Sequence, residues 1–188
     1  MSKITIVYHS TYDHTKALAK SVHLGVQRVS GTEAHLVSVT DIENSWDDLH
    51  TADALIFGCP TYMGSASAEF KKFMEATSQI WVEQKWKDKF AAGFTNSASQ
   101  SGDKLNTLVQ QAIFAAQHGM LWVSLGMLPG NNASTASIND LNRLGSFMGA
   151  MAQSNNDQSP DVAPPENDHE TAAQLGQRVA ELIQRFNR

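Results

Sequence analysis

The sequence predicts an α/β domain built on a doubly wound parallel sheet, with five strands in the order 2-1-3-4-5 and helices on both faces. Strand-like segments alternate with helical periodicities along nearly the whole chain, which is the pattern of βαβ units. Residues 54–58 form a continuous apolar run of strand length, as a central parallel strand covered on both faces requires. The 188 residues, 41% of them hydrophobic, suffice for one core, so we expect a single domain over 1–188.

The first half of the chain gives clear signals for its elements. A first strand is expected at 3–8 and a second, weaker strand at 34–39. Between them a helix over 13–30 carries an apolar stripe and ends at Gly31, because glycine readily adopts the backbone conformation that terminates a helix. The stripe consists of Leu18, Val22, Val26 and Val29.

The second half repeats the alternation. Ser67 is expected to cap a second helix, and strands at 90–95 and 120–123 flank a helix over 103–117. A capping-box-like pair in 167–170 opens the last helix. The inner face predicted for helix 103–117 contains Leu105, Leu108, Val109, Ala112, Ile113 and Ala116. The buried stripe predicted for the last helix contains Leu175, Val179, Leu182, Ile183 and Phe186.

One long segment, residues 125–165, interrupts this rhythm. It is rich in Gly, Asn, Ser and Pro and is too long for an ordinary connection. We therefore expect either a lid over a functional site or an ordered insertion that builds a subunit interface.

Composition excludes several classes of protein. A formal net charge of -5 without clustered Lys and Arg speaks against a nucleic-acid partner. No run of eighteen apolar residues is present, so no membrane partner is expected. Cys59 is the sole cysteine, no signal peptide precedes residues 3–8, and the chain is expected to be cytoplasmic. Cys59 itself is interpreted as a small buried apolar residue rather than a nucleophile.

Other chemistries lack their motifs. The seven histidines are scattered without metal-ligand spacing, so no metal is predicted. Neither a G-x-G-x-x-G turn nor a P-loop lysine motif follows the first strand. The third strand ends in Gly58–Cys59–Pro60 instead of the acceptor aspartate of a phosphorylated receiver domain.

In the predicted sheet a ligand would lie at the carboxyl ends of the strands, in the loops after strands one, three and four. The first loop, 9–15, places several hydroxyl groups and free backbone N–H groups at a helix N-terminus, which suits a phosphate. Its alternative interpretation is that Ser10 and Thr11 only cap the helix.

The other two loops suit a planar ring. In 58–66, Pro60 fixes the chain, Gly64 permits close approach, and Tyr62 and Met63 offer flat or polarizable surface. The alternative there is a turn with a core tyrosine. The loop 95–102 is small and polar, and its N–H groups could bond the edge of a ring, although alone it would pass as a flexible linker.

Four segments carry a resemblance to a known family: 10–15, 58–64, 94–97 and 117–120. With them the chain resembles, over nearly its whole length, the flavodoxin-like FMN proteins of the NADPH-dependent FMN reductase and WrbA-type quinone oxidoreductase group. The resemblance implies a three-layer flavodoxin-like fold and non-covalently bound FMN. It also implies NADPH or NADH as co-substrate, a quinone-like electron acceptor, and a homo-oligomer, either dimer or tetramer.

The resemblance also implies roles for single residues. The predicted ribityl-phosphate loop comprises Ser10, Thr11, Tyr12, Asp13, His14 and Thr15. The predicted loop along the isoalloxazine comprises Pro60, Thr61, Tyr62, Met63 and Gly64. The predicted loop at its pyrimidine end comprises Thr95, Asn96, Ser97, Ser101 and Gly102. His118 is expected over the substrate face, where it would orient substrates together with Tyr62; the alternative is a helix C-terminal histidine held by local carbonyls.

Two parts of the sequence depart from the family pattern. Asp13 stands where many relatives have glycine, and its carboxylate would have to point away from a phosphate. Residues 98–101 replace the glycine-rich run of WrbA-type enzymes. Two alternatives to the enzyme stay open: an electron carrier without nicotinamide chemistry and, because of Asp13, an interaction protein that has lost flavin binding.

Overall fold

The computed structural model describes residues 1–187. Its strands are β1 (Ser2–Tyr8), β2 (Thr32–Ser38), β3 (Ala54–Tyr62), β4 (Ser65–Ala66), β5 (Phe90–Ser97), β6 (Leu121–Trp122) and β7 (Ala150–Gln153). Its α-helices are α1 (His14–Gln27), α2 (Trp46–Thr51), α3 (Ala68–Ala76), α4 (Ser78–Val82), α5 (Lys104–Gln117) and α6 (Glu166–Phe186), and a 3-10 helix spans Val39–Asn44.

The sheet confirms the predicted doubly wound topology. Its strands follow the order β2-β1-β3-β5-β6, with β4 paired to β3 and β7 paired to β5. The pairs along this path are parallel, and only the short β3–β4 pair is antiparallel. Helices must therefore cross over the faces between strands, which produces three layers.

Each face of the sheet has its own apolar cluster. Along β3 the side chains alternate, so that Ile56 points to the cluster beneath α1 and α6 while Phe57 points to the cluster beneath α3 and α5. Both residues are fully buried, as the continuous apolar run predicts. The second cluster is rich in aromatic rings, and Phe57 and Phe114 meet edge to face with centroids 5.2 Å apart.

The fifth strand position is split. The segment predicted at 120–123 pairs with β5 only through Leu121 and Trp122, opposite Phe90 and Ala91. The carboxyl-terminal half of β5, from Phe94 to Ser97, pairs instead with β7, which belongs to the 125–165 segment. This segment is thus an ordered insertion that returns to the sheet.

The split occurs at a glycine. A Cβ on Gly93 of β5 would stand 2.2 Å from Gln111 Oε1, and a Cβ on Gly149 would stand 2.1 Å from the Gly93 carbonyl oxygen. The Trp122 indole N–H donates to the Met148 carbonyl oxygen at 2.9 Å. Gly93 and Gly149 therefore allow the backbones to approach closely where β6 gives way to β7, and the Trp122 hydrogen bond links the two half-strands.

Helices α1 and α6 approach each other at backbone distance. A Cβ on Gly25 would stand 1.8 Å from the Ala173 carbonyl oxygen, and a Cβ on Gly176 would stand 2.1 Å from the Val22 carbonyl oxygen. No side chain fits between these backbones, so the two glycines set the separation of the helices.

The predicted inner face of α5 is wrong in large part. Leu105 and Ile113 are 55% and 57% exposed, and Ala116 is exposed as well. The buried face holds Lys104, Thr107, Leu108, Gln111, Phe114 and Ala115. The apolar periodicity does not report that the fold also buries the polar side chains of Lys104, Thr107 and Gln111, which make hydrogen bonds to distant residues.

Two details at helix termini also differ. Ser67 occupies the N-cap position of α3 but makes no side-chain cap bond, because its hydroxyl bonds His9 instead. The last helix begins at Glu166 after Pro165 and has no side-chain cap. At its other end Phe186 is 73% exposed and packs only against Phe90, with ring centroids 5.1 Å apart.

Candidate functional site

Three loops meet in one open cleft at the carboxyl ends of β1, β3 and β5. The cleft has a volume of about 1160 Å³, and every predicted cofactor-binding residue lines it except Thr95 and Ser101. Ligand sites of doubly wound sheets occur at this edge. The structure also lines the cleft with Ala98, Ser99, Asp103, Ser154, Asn156, Gln158 and Pro160.

The first wall is the N-terminus of α1. Asp13 holds the N-cap position with φ 62°, and its side chain makes no cap bond. The first helical bond runs from the Ala17 amide to the Asp13 carbonyl at 2.9 Å. The amides of residues 14–16 thus have no helical acceptor, which creates an anion-binding position beside the Ser10 and Thr15 hydroxyls.

Asp13 adopts the left-handed conformation that glycine would adopt there, as its side chain permits. Its carboxylate lies 3.8 Å from Lys16 Nζ, and its side chain is 63% exposed. An exposed pair of this kind contributes little stability. The carboxylate nevertheless remains a negative charge at the rim of an anion position.

Two histidines fix the ends of this loop. His14 Nδ1 bonds the Ala163 carbonyl at 2.8 Å and so joins the start of α1 to the segment before α6. His9 Nδ1 bonds Ser67 Oγ at 2.8 Å beneath the cleft. Burial lowers the pKa of His9, and Glu69 opposes this shift. A neutral His9 is therefore part of the scaffold.

The second wall is the turn after β3. Met63 is fully exposed at φ 50°, and Tyr62 is 40% exposed, so the alternative of a core tyrosine is wrong. The Asn106 side-chain amide donates to the Gly64 carbonyl at 2.7 Å and holds the turn against α5. An exposed apolar surface held by hydrogen bonds is suited to contact a flat ring.

A row of threonines stands behind this turn. Thr61 Oγ1 lies 2.8 Å from Thr95 Oγ1 and 2.8 Å from Thr107 Oγ1, and Thr95 donates to the Cys59 carbonyl at 2.7 Å. Thr95 is fully buried. It therefore supports Thr61 from behind the cleft, which corrects its predicted place at the cofactor.

The third wall is the loop 97–102. A fully buried Lys104 donates to Ser97 Oγ at 2.8 Å, to the Ser99 carbonyl at 2.9 Å and to the Gln100 carbonyl at 2.7 Å. Burial lowers the pKa of Lys104 to about 8; Asp168 opposes the shift and Arg143 adds to it. Ser101 lies exposed outside the cleft, contrary to its predicted role.

The remaining wall comes from the chain after β7. Ser154 Oγ donates to Asn96 Oδ1 at 3.1 Å, and the Ser154 amide donates to the Ser97 carbonyl at 3.1 Å. Asn156, Gln158 and Pro160 follow it along the cleft. The long segment thus contributes directly to the site. In the sequence, only the unusual length of 125–165 indicated that this segment contributes to the site. Length alone does not identify which of its residues line the cleft.

His118 is not in the cleft. It follows α5, whose first residue lies behind the loop 97–102, and fourteen helical residues carry it about 20 Å toward the opposite edge of the sheet. It is 2% exposed and packs between Trp86 and Phe114, with ring centroids 4.7 and 4.8 Å away. The predicted contact of His118 with substrate is therefore wrong for this chain, and its ring belongs to the aromatic cluster.

The surroundings of His118 predict an acid-sensitive fold. Its Nε2 bonds Thr77 Oγ1 at 2.9 Å, while its Nδ1 has no partner in residues 1–187. Burial lowers its pKa to about 4 from 6.5, so protonation disfavours the folded state. The free energy of unfolding should therefore fall by up to about 3 kcal/mol as pH drops from 6.5 to 4.

Urea unfolding at several pH values would measure this loss. His9, His50 and His169 also have pKa values lowered by burial and contribute in the same direction. The variant His118→Gln keeps a donor for Thr77 and cannot titrate, so the difference between it and the wild type isolates His118. A difference that does not change with pH would contradict the expectation.

Other chemistries find no support in the described residues. Cys59 is fully buried, and burial raises the pKa of its thiol to about 12, so it is not a nucleophile. Over residues 1–187 no three His, Cys, Asp or Glu side chains are grouped to hold a metal ion. None of the helices in that range has the length and apolar character needed to cross a membrane.

Curated relatives extend over the whole chain. A protein from Pseudomonas aeruginosa named flavodoxin FldP is 42% identical over 100% of both chains. An NAD(P)H dehydrogenase (quinone) from Archaeoglobus fulgidus is 30% identical and covers 99% of this chain and 100% of its own.

A solved structure and a family model agree with these relatives. The crystal structure of a flavodoxin, WrbA-like protein from Agrobacterium tumefaciens is 40% identical and superposes with a TM-score of 0.77, covering 98% of this chain and 99% of that chain. The sequence model of the family described as NADPH-dependent FMN reductase matches residues 14–135. With the predicted sheet order and the three converging loops, these likenesses establish that the chain belongs to the flavodoxin-like NADPH-dependent FMN reductase family.

Proposed function

We propose that this protein is an oxidoreductase that passes electrons from NAD(P)H through bound FMN to a quinone or a similar small acceptor. The family to which it belongs identifies FMN as the flavin and NAD(P)H as the electron donor. The observation that carries the proposal is the convergence of an anion position, an exposed apolar turn and a polar loop in one cleft. The quinone acceptor is the activity that the Archaeoglobus relative's name states.

The residues present fit an FMN molecule. The free amides at the start of α1, with the Ser10 and Thr15 hydroxyls, suit the terminal phosphate without any basic side chain. Tyr62 and Met63 offer surface to the tricyclic ring, and the loop 96–102 offers polar groups to its pyrimidine edge. The cleft is also larger than the ~300–1,000 Å³ typical of small-molecule sites, leaving room for a second substrate.

FMN, when bound, supplies the redox chemistry, and the chain supplies position and environment. The phenol of Tyr62 is exposed at the mouth of the cleft, where it can orient an incoming nicotinamide or acceptor. Pro60 and Pro160 contribute apolar lining to the cleft. No side chain has to act as a nucleophile.

Anaerobic reduction tests the proposed enzyme. The purified protein should take up FMN, and the bound flavin should lose its colour when NADPH or NADH is added. Addition of a quinone should restore the colour, and steady NAD(P)H oxidation should require both FMN and the quinone. A protein that binds FMN but is reduced by neither nucleotide would contradict the enzyme proposal.

An electron carrier without nicotinamide chemistry is the second candidate. The name of the Pseudomonas relative favours it, as does the charge around the cleft. Asp103 lines the cleft, and the exposed Asp157 and Asp161 follow directly after Asn156 and Pro160, which line it too. With Asp13 they form an acidic rim, and such a rim can steer a basic redox partner.

One comparison separates the two candidates. A carrier should accept electrons from a chemical reductant or a protein partner but not from NAD(P)H, and high salt should slow the transfer from a protein partner. An enzyme should accept them directly from NAD(P)H.

We further propose that the protein is a homo-oligomer. Trp81 is 45% exposed, and α5 presents the exposed Leu105 and Ile113. Apolar and aromatic side chains that are exposed on a single chain commonly become buried at the centre of a subunit interface. Light scattering after size-exclusion chromatography should give a mass of two or four chains, and a mass of one chain would exclude the proposal.

A further inference from the structure

The loop 97–102 is held from behind by a single buried ammonium group. Lys104 Nζ directs three hydrogen bonds to Ser97 Oγ and to the Ser99 and Gln100 carbonyls, so each of its protons has an acceptor. The lysine is 1% exposed, which is rare for this residue type. Burial disfavours the charged form of a lysine. These three hydrogen bonds therefore offset the free-energy cost of burying the ammonium group.

The next carbonyl of the loop is held in the same way. Gln153 Nε2 donates to the Ala98 carbonyl at 2.9 Å, and the Gln153 amide donates to Asp168 Oδ2 at 2.9 Å. Carbonyls 98, 99 and 100 are thus engaged on the side away from the cleft. Within residues 1–187 the amides of 98–100 and of Gly102 have no backbone or side-chain acceptor, and Ala98, Ser99 and Gly102 line the cleft.

The charges behind the loop sum to a positive value. Arg143 forms a buried two-bond ion pair with Asp168, with both N–O distances at 2.8 Å, so these two charges largely compensate each other. Asp168 opposes the lowered pKa of Lys104 and Arg143 adds to it, whereas the neighbouring Asp103 is exposed to solvent on the cleft side. The Lys104 ammonium therefore remains as the uncompensated charge of the trio, one hydrogen bond behind Ser97.

We propose that Lys104 is a positioning residue for the flavin: it presents the amides of the loop 98–102 to the pyrimidine edge of FMN, and its charge favours the electron-rich, reduced form. This inference rests on the proposed FMN site. It follows from geometry and charge, because donors and a positive charge behind a ring stabilise negative charge that accumulates on that ring.

Two substitutions separate position from charge. Lys104→Gln keeps hydrogen-bond donors without the charge, and Lys104→Met removes both. Lys89 supplies a matched control at the opposite edge of the sheet, where its ammonium donates to the His50 carbonyl at 2.8 Å and also to the Ala52 carbonyl. Lys89→Met removes a partly buried lysine that also donates to two backbone carbonyls, and it should leave the cleft unaffected.

The midpoint potential of bound FMN and the dissociation constants of oxidised and reduced FMN measure the effect. Lys104→Gln should weaken the binding of reduced FMN about tenfold more than the binding of oxidised FMN. For a two-electron couple this difference equals a fall of about 30 mV in the midpoint potential. Lys104→Met should give at least the same shift and also weaken oxidised FMN. Hydrogen exchange of the FMN-free protein should be faster at 98–102 in Lys104→Met alone.

Each result decides between the proposals. Unchanged potentials in both Lys104 variants, with FMN bound, would overturn the role of Lys104 and leave the proposed function intact. An equal fall in Lys89→Met would show a general loss of structure and would also overturn it. A wild-type protein that binds no FMN would overturn the proposed function together with this inference. Far-UV circular dichroism and urea midpoints check that all three variants are folded.

Discussion

Replacing Gly25 with alanine is expected to lower the free energy of unfolding by about 3 kcal/mol, at the upper end of the usual cost of overpacking. The added methyl group would lie 1.8 Å from the Ala173 carbonyl oxygen, so α1 and α6 would have to separate. At an unhindered helix position the same change would stabilise the protein by about 1 kcal/mol, so the sign of the effect is diagnostic.

Urea unfolding monitored by circular dichroism would measure this change. Gly176→Ala should show a similar loss, because its methyl group would meet the Val22 carbonyl from the other helix. Leu24→Ala changes the neighbouring side chain, which is 57% exposed, and should change stability by less than about 0.5 kcal/mol. A stabilised Gly25→Ala protein would show that the helices do not approach this closely.

Replacing Ser10 with aspartate is expected to weaken FMN binding at least about 100-fold. The new carboxylate would stand beside the free amides of α1, where the phosphate of FMN is proposed to bind. Two like charges about 4 Å apart near a protein surface repel by about 4 kcal/mol, which exceeds the 2.7 kcal/mol that corresponds to a 100-fold loss. Fluorescence titration with FMN would measure the dissociation constant.

Riboflavin is the matched ligand for this experiment, because it lacks the phosphate. Its binding to Ser10→Asp should equal its binding to the wild type, and a parallel loss for both ligands would indicate a damaged cleft instead. Asp13→Asn removes the negative charge at the rim while retaining a residue that tolerates φ 62°. It should bind FMN more tightly than the wild type, and Asp103→Asn, at the other end of the cleft, should change this affinity less.

The five main strands and their order were predictable because the alternating strands and helices carry local signals, whereas the split of the fifth strand position into β6 and β7 was not predictable. The apolar run of β3 and the stripe of Leu18, Val22 and Val26 in α1 are buried as predicted. The burial of α5 depends on distant partners that periodicity does not report. Gln111 lies inside, where its side-chain amide N–H groups donate to the Phe94 carbonyl of β5 and to Cys59 Sγ of β3.

The site was predictable wherever its residues directly follow a strand. Loops at 10–15 and 60–64 lie where doubly wound topology places a ligand, and they line the cleft. Ser154 and its neighbours could not be identified, since no pattern in the Gly- and Asn-rich insertion shows that residues 150–153 rejoin the sheet. His118 was misplaced because a motif before a strand does not reveal which end of the helix faces the ligand.

The divided strand at the edge of the sheet has a consequence for the order of assembly. β6 meets β5 after a short excursion of the chain, whereas β7 meets it only after the whole insertion has been traversed. Longer loops cost more entropy to close and slow the contacts that depend on them. We therefore expect a folding chain to form the aromatic cluster first and the wall of the cleft that follows β7 last. The coenzyme would then bind to a site that is not yet complete.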